Sequence, residues 1–375
     1  MKKVFLEDIT VNLDNRRKPL NNQARAKISK EGLYPYYGAN NIMDYVDEYI
    51  FDEEILCVAE DGGSWGLKEK CSYIVNGKCW VNNHAHVLSA KDGINIKYLY
   101  YYLNYHDLSK HITGTTRGKL TKTALSGIEI LIPTEDTQNK IVEILDKSQE
   151  LIDKRKEQME LLDELIQSKF LEMFGNPVIN PKGWDIKLYE EICKLITDGE
   201  HSTPKRAESG IYLLSARNVH NHYLKLDDVD YIEEDEYLRI SKRIVPEKDD
   251  ILISCSGSVG RVCKVPPNIK FQMVRSVAIL KLKEDVNPVF MEWLIDSDYT
   301  QQQILKSINQ SSQANLFQGK IKKLKAIIPP LALQEEFADF VEKVNDIKIV
   351  LNKSLEQLNN NFDSLINKAF KGELF

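Results

Sequence analysis

Polar and basic side chains gather in short stretches of this chain, and the order of those stretches recurs between its two halves. In the first half, Arg16, Arg17 and Lys18 open a basic segment of little apolar content that continues through Arg25, Lys27 and Lys30. Tyr36, Tyr37, Asn40 and Asn41 follow, then Asn82, Asn83 and His84, then Thr115, Thr116, Arg117 and Lys119. In the second half, Thr203, Lys205 and Arg206 precede Ser215, Arg217, Asn218 and His220. A glycine-serine run with Ser256 and Ser258 comes next, then Arg275 and Ser276, then Ser311, Ser312, Gln313 and Asn315. Asn and Gln offer a donor beside an acceptor and can pair bidentately with an adenine edge; Arg does the same with guanine, while Lys, Ser and Thr suit phosphates. Any one of these residues, taken singly, reads as a solvated loop. A set duplicated in position reads better as two surfaces that recognise bases, and these are the candidate DNA-binding residues.

Other chemistries find little support. The run Ser256 to Lys264 lacks the GxxxxGK[ST] order of a phosphate cradle, and no clear helix follows it. Its glycines suit tight strand-exit turns, whose amides are still able to touch a phosphate. His84 and His86 alternate along a strand pattern and would share a face, but no third ligand stands near, so polar packing is preferred to a metal. His201, His220 and His222 sit among Asn and Ser without metal-ligand spacing. There is no glycine-rich dinucleotide fingerprint and no cysteine with an evident base. The six cysteines form no CxxC pair and read as buried thiols. No catalytic or metal-binding residue is assigned.

The elements that must position these loops are two long helices and the strands between them. From Gln138 to Phe174, Leu145, Ile152, Met159, Ile166 and Met173 recur every seventh residue, with Ile141, Ile144, Leu151, Leu162 and Leu165 widening the stripe. No proline or glycine interrupts it, and Gly175, Asn176 and Pro177 supply the stop. At about 1.5 Å per residue such a helix reaches roughly 50 Å, a spacer's length. Phe337, Val344, Leu351, Leu358 and Leu365 repeat the pattern near the end of the chain, supported by Val341, Leu355, Phe362 and Ala369. The asparagines Asn359, Asn360 and Asn361 leave the end of this second helix open.

The two helices begin alike, because Ile132-Pro133 leads to Gln138 as Ile328-Pro329 leads to Gln334. Upstream, Leu120 to Pro133 parallels Leu316 to Pro329 at the same displacement. Leu6-Glu7-Asp8-Ile9 resembles Tyr189-Glu190-Glu191-Ile192, and Glu54-Ile55-Leu56 recurs as Asp250-Ile251-Leu252. Each of these last runs leads to a glycine-serine loop, Asp61-Gly62-Gly63-Ser64 or Ser256-Gly257-Ser258-Val259-Gly260. Further on the displacement grows by about one helical turn, since Phe170 matches Phe370. The pattern is domain, helix, domain, helix: 1–133, 134–175, 176–329 and 330–375. Short apolar runs punctuated by Gly, Asn and Asp make each domain mixed α/β (α+β).

A chain of 375 residues, 42% hydrophobic and 28% charged, suits two or three globular domains. The formal charge of −6 argues against unspecific coating of nucleic acid but leaves room for local basic loops. No apolar run approaches membrane-span length and the start, MKKVFLEDITVN, has no apolar signal region, so a cytoplasmic location without a membrane partner is expected.

Taken in order, Tyr34-Pro35-Tyr36-Tyr37-Gly38-Ala39, Ile132-Pro133 with Gln138, Ser168 to Gly175, Gly183-Trp184, Asp250 to Ile253, Gly257 to Gly260 and Ile328-Pro329 with Gln334 carry a resemblance over nearly the whole chain. It resembles the specificity subunit of a type I restriction-modification enzyme. The resemblance implies two target recognition domains separated by two long antiparallel coiled-coil-like helices, related by a pseudo-twofold internal repeat. Each domain would read one half of a bipartite, asymmetric double-stranded DNA target. The helices would set the gap and dock two methyltransferase (modification) subunits for adenine N6 methylation, with motor-nuclease (restriction) subunits added for cleavage. S-adenosylmethionine, ATP and Mg would then belong to those partners, and this chain would bind no cofactor and perform no catalysis. In keeping with that, the Pro-Pro pairs, Val265-Pro266-Pro267-Asn268 and Ile328-Pro329-Pro330-Leu331, lack the Asn/Asp-Pro-Pro-Tyr order of adenine methyltransferases. The base-reading loops are the family's variable part, so no contact is carried over from it. A specificity chain for a two-subunit type II enzyme, and a coiled-coil scaffold with protein-binding domains, remain as alternatives.

Overall fold

The computed structural model describes residues 1–114, 117–308 and 315–375. They form two compact units: Met1–Lys156 with Lys353–Phe375, and Glu157–Asn352. Of the sequence candidates, Thr115, Thr116, Ser311, Ser312 and Gln313 lie outside the described residues.

In the first unit, Ile55–Ala59 is buried at every position, the outcome expected of the uninterrupted apolar run ILCVA. Its side chains alternate between two cores. Leu56 and Val58 join the helix Ile96–Tyr105 in one, while Ile55 and Cys57 meet Phe51, Cys79 and Val81 in the other. Around it runs an antiparallel sheet in the order Thr10–Asn12, Ala85–Ala90, Ile55–Ala59, Ser72–Val75. A second sheet orders Ile42–Val46, Tyr34–Tyr37, Lys78–Val81 and Phe51–Asp52, with its middle two strands parallel. Lys2–Phe5 pairs antiparallel with Glu129–Ile132 and closes the domain just before the central helix.

The second unit repeats this plan strand for strand in its main sheet: Cys193–Asp198, Val277–Leu282, Ile251–Ser254, Val262–Lys264. Again the central strand divides its side chains, Ile251 and Ile253 into one core and Leu252 into another. Ile211–Leu214 lies parallel to Phe271–Met273, and Asp185–Leu188 closes on Lys325–Ile328. The internal repeat is therefore a repeat of topology as well as of sequence.

The central helix runs Glu135–Phe174 and the terminal helix Leu331–Lys371. The asparagine run does not break the terminal helix; Asn359 instead donates its side-chain amide to the Leu355 carbonyl at 2.9 Å. Gly175 ends the central helix at φ +76°, a left-handed conformation that a side chain would disfavour, and a Cβ there would also lie 2.7 Å from Pro181 Cγ. Within the first unit, Ile141, Val142 and Leu145 share a core with Ile366, Ala369 and Phe370. Within the second, Ile166, Phe170 and Phe174 share one with Phe337, Val341 and Val344, and Lys348 reaches Asp163 at 2.5 Å. In each unit the two helical segments pair antiparallel, since earlier residues of one meet later residues of the other. Leu151 and Leu165 depart from the expected stripe and are exposed. Each precedes a buried isoleucine, and one helical step turns a side chain about 100° away from the seam. Among the described residues no helix is long and apolar enough to cross a membrane.

Candidate nucleic-acid interface

At the exit of the central strand of the first unit, the chain turns through Glu60, Asp61 and Gly62, and several sequence candidates converge there. Asp61 Oδ1 lies 2.7 Å from His84 Nδ1 and accepts Arg117 Nη2 at 3.0 Å. The Asn40 side-chain amide donates to the Gly62 carbonyl at 3.1 Å, and Lys119 pairs with Glu60 at 2.9 Å. Asn40, His84, Arg117 and Lys119 come from three separate stretches of sequence and are gathered by one strand exit. Asn41 and Asn83 are exposed close by in sequence, and Lys18 is exposed as well. The Arg117 side chain is 66% exposed, so its ion pair is weak and can be exchanged for a phosphate.

Other candidates are committed to the fold. Arg17 donates to Glu60 at 2.7 Å and to the Ala85 carbonyl at 2.7 Å, and lies 3.3 Å from Asp14. A guanidinium placed among these acceptors and largely shielded from water is a strut rather than a free ligand group. Burial works against the charge on Glu60, yet Arg17 and Lys119 hold its carboxyl below the ordinary value. Tyr36 is buried, stacked on Trp80 and covered by the Arg25 guanidinium at 5.2 Å. Asn82 is buried and accepts the His84 N–H at 2.8 Å, so it shapes the turn that presents His84. Tyr37 is half-buried on Tyr73, and Arg16 pairs with Glu53 at 2.6 Å over the Phe51 ring. The two strand histidines do not act together: His84 goes to Asp61, while buried His86 lies between Asp14 at 2.6 Å and the Leu120 carbonyl at 2.8 Å.

The corresponding strand exit in the second unit opens a cavity of about 410 Å³ lined by Asp198, His201, Ser256, Arg275, Ser276 and Asn315 among others. His201 Nε2 lies 3.0 Å from Asp198, and Arg275 is exposed. Ser276 accepts the Ala216 N–H at 3.0 Å, which ties this exit to the turn bearing Ser215 and Arg217. A second basic patch forms where Arg206 and Arg217 share Asp230, at 3.1 and 3.0 Å. Thr203 and Lys205, just before Arg206 in sequence, are exposed, and His220 stacks on Tyr223. Asn218 is a further correction: it is buried, donates to the carbonyls of Lys225 and Asp228, and accepts the Ser215 N–H at 2.9 Å. The Ser258 carbonyl accepts the Ser254 hydroxyl at 2.5 Å, a turn contact.

The acidic residues that organise both exits, Glu60 and Asp61 in one and Asp198 in the other, were not among the sequence candidates. Their signal was present, since Glu60 and Asp61 stand directly at the duplicated glycine-serine loop.

A family described as the type I restriction modification DNA specificity domain matches residues 1–161 and again residues 181–360. The chain belongs to that family. It is a type I restriction-modification DNA specificity subunit built from two such domains. A Haemophilus influenzae protein assigned as a type I restriction enzyme specificity subunit is 29% identical over 350 residues, which cover 90% of this chain and 86% of that one. The MjaIX type I specificity subunit of Methanocaldococcus jannaschii is 27% identical over 312 residues, covering 76% of this chain and 70% of the relative. The crystal structure of the type I S subunit from M. genitalium shares the fold at TM-score 0.60 and 16% identity, over 98% of this specificity chain and 96% of that one. Membership in the family removes the protein-binding scaffold as an account of the specificity chain, and the type I relatives favour that system over a two-subunit type II enzyme.

Proposed function

We propose that each unit of this chain reads one half of a bipartite, asymmetric DNA target, while the two long helices fix the gap and carry two methyltransferase subunits. The complex methylates adenine N6 and, with motor-nuclease subunits, cleaves unmodified DNA in the cytoplasm. S-adenosylmethionine, ATP and Mg are bound by the partners; this chain supplies sequence recognition and no chemical step. The observation that supports this most directly is the duplication of the strand exit. Ile55–Ala59 and Ile251–Ser254 occupy the same place in the same sheet order, and beyond each lie histidine, arginine and asparagine side chains on non-equivalent loops. One scaffold with two differently furnished exits suits two different half-sites.

The test is single-molecule mapping of N6-methyladenine in cells that carry this gene with its neighbouring methyltransferase gene, against cells lacking only this gene. A split motif that vanishes with the gene is the expected result. Exchange of residues 1–133 with those of a relative should then change one half of the motif, and a turn inserted in the central helix should lengthen the gap. If both proteins are expressed and no motif depends on this chain, the proposal fails.

A further inference from the structure

We propose that Arg239 and Glu236, on the helix Glu234–Ser241 of the second unit, are positioning residues that set this unit's base specificity by holding the loop 199–206, without touching DNA themselves. The inference rests on the reading of the second unit as a half-site reader. The loop leaves the edge strand Cys193–Asp198 and carries Thr203, Lys205 and Arg206, all exposed. No ladder of backbone hydrogen bonds runs along it, so by itself it would sample many conformations and ordering it costs backbone entropy.

The helix and the turn after it secure the loop at three points. At its entry, Arg243 donates to the Gly199 carbonyl at 3.1 Å and to Asp198 at 2.8 Å. In its middle, Arg239 Nη2 donates to the Ser202 hydroxyl at 3.3 Å and Nη1 lies 3.6 Å from Glu200, while the Ser202 N–H returns to Glu200 at 3.1 Å. Towards its exit, Glu236 Oε1 accepts the Lys205 N–H at 3.0 Å. Arg239 also grips Glu236 in a two-pronged contact, at 2.8 and 2.9 Å, which fixes the carboxylate that holds Lys205. Glu236 is buried, so the clasp lies beneath the loop, while Thr203, Lys205 and Arg206 stay exposed.

The clasp also reaches the strand exit. Glu200 N donates to the Met273 carbonyl at 2.8 Å, and the Arg275 N–H donates to the Glu200 carbonyl at 3.0 Å. The fit leaves no room for a side chain at 199, where a Cβ would come within 2.3 Å of the Met273 carbonyl oxygen. The ion pairs of the clasp and these backbone hydrogen bonds together set where Lys205, Arg206 and Arg275 stand relative to one another. Base readout needs donors and acceptors held to hydrogen-bond tolerance, whereas phosphate contacts by lysine and arginine survive a looser loop. Loss of the clasp should cost discrimination more than affinity.

The experiment uses the full chain assembled with its modification subunit, and the substitutions Arg239→Gln and Arg239→Lys. Arg239 is 45% exposed, and neither change opens a core. Methylation rates are measured on the mapped target and on targets with one base changed in either half-site, and binding to unrelated DNA is titrated separately. For Arg239→Gln we expect discrimination within the second unit's half-site to fall at least about tenfold. Discrimination within the other half-site and binding to unrelated DNA should stay within about twofold, and Arg239→Lys should fall between. Unchanged discrimination in both variants overturns the inference, as does an equal loss in both half-sites, which would mark a general defect. If Arg239→Gln does not assemble, Arg239→Lys decides alone, because it keeps the charge beside Glu236 and Glu200. Failure of the underlying reading looks different: the wild-type complex itself would show no split motif.

Discussion

The side-chain oxygen of Gln138 accepts the backbone N–H of Asn95 at 2.9 Å, joining the first turn of the central helix to the cap of a helix in the preceding domain. The Gln138 amide donates to the carbonyls of Pro133 and Gly93 at 3.1 and 3.2 Å. Gln334 does the same in the second unit, accepting from Asn287 at 2.8 Å and donating to Pro329 and Asp285. Both glutamines are buried, and every partner of their side chains is a backbone group. Gln138→Leu and Gln334→Leu should each destabilise their own unit by about 2–4 kcal/mol. Urea unfolding followed by amide exchange will assign each loss to its unit, and a neutral effect would show that water replaces the clasp.

Phe370 packs against Tyr98, Tyr102, Tyr105 and His106, with ring centroids between 5.1 and 5.6 Å. Its counterpart Phe170 packs against Phe174, Phe290 and Phe337. Truncation of either to alanine should cost about 3–5 kcal/mol through lost burial and the cavity left behind. Thermal unfolding of the two variants is the measurement; a loss below about 1 kcal/mol would mean the surrounding rings collapse into the space.

Arg117 and Arg17 separate binding from folding. Arg117→Ala should leave the melting temperature unchanged within error and lower affinity of the assembled complex for DNA, reducing the salt slope by about 1 if a phosphate contact is lost. Arg17→Ala should instead destabilise the first unit by about 3 kcal/mol, since it removes the best-shielded cation beside Asp14 and Glu60 and leaves Glu60 only the half-exposed Lys119. Binding titrations across salt concentration, beside melting curves, distinguish the two.

His222 gives the second unit a pH dependence. It stacks on Trp293 at 4.0 Å with Nε2 3.1 Å from Asp296 and Nδ1 3.7 Å from Glu292. Burial favours the neutral ring, but the carboxylates of Asp296 and Glu292 outweigh it and raise the pKa from 6.5 to about 9. A pKa raised on folding stabilises the native state fully below the unfolded value, and that stability is lost as pH climbs through about 9. The loss amounts to no more than about 3 kcal/mol. Calorimetry between pH 6 and 10 should show the wild type converging on His222→Gln as pH rises; a constant difference would exclude the imidazolium.

Much of the fold was legible because it rests on local periodicity. The seven-residue stripe in Glu135–Phe174 and Leu331–Lys371, the buried run ILCVA and its partner Ile251–Ser254, and the matched Gln138 and Gln334 are all written in adjacent residues. The site was legible only as a set of stretches. Asn40 and Asn82 look alike in sequence, yet one is exposed over Gly62 and the other is buried in the turn that presents His84.

Sequence alone thus determined the duplicated order of domain and helix, the mixed strand-rich character of each domain and the family to which the chain is similar, because hydrophobic spacing and repeated motifs are properties of neighbouring residues. Only the tertiary structure decided which candidates face outward. Arg16 and Arg17 are consecutive, but the partners of Arg17 are Glu60 and the Ala85 carbonyl, far along the chain and brought together by the sheet. Whether a basic side chain is a strut or a free ligand group depends on acceptors that folding delivers from elsewhere, and no local pattern records their arrival.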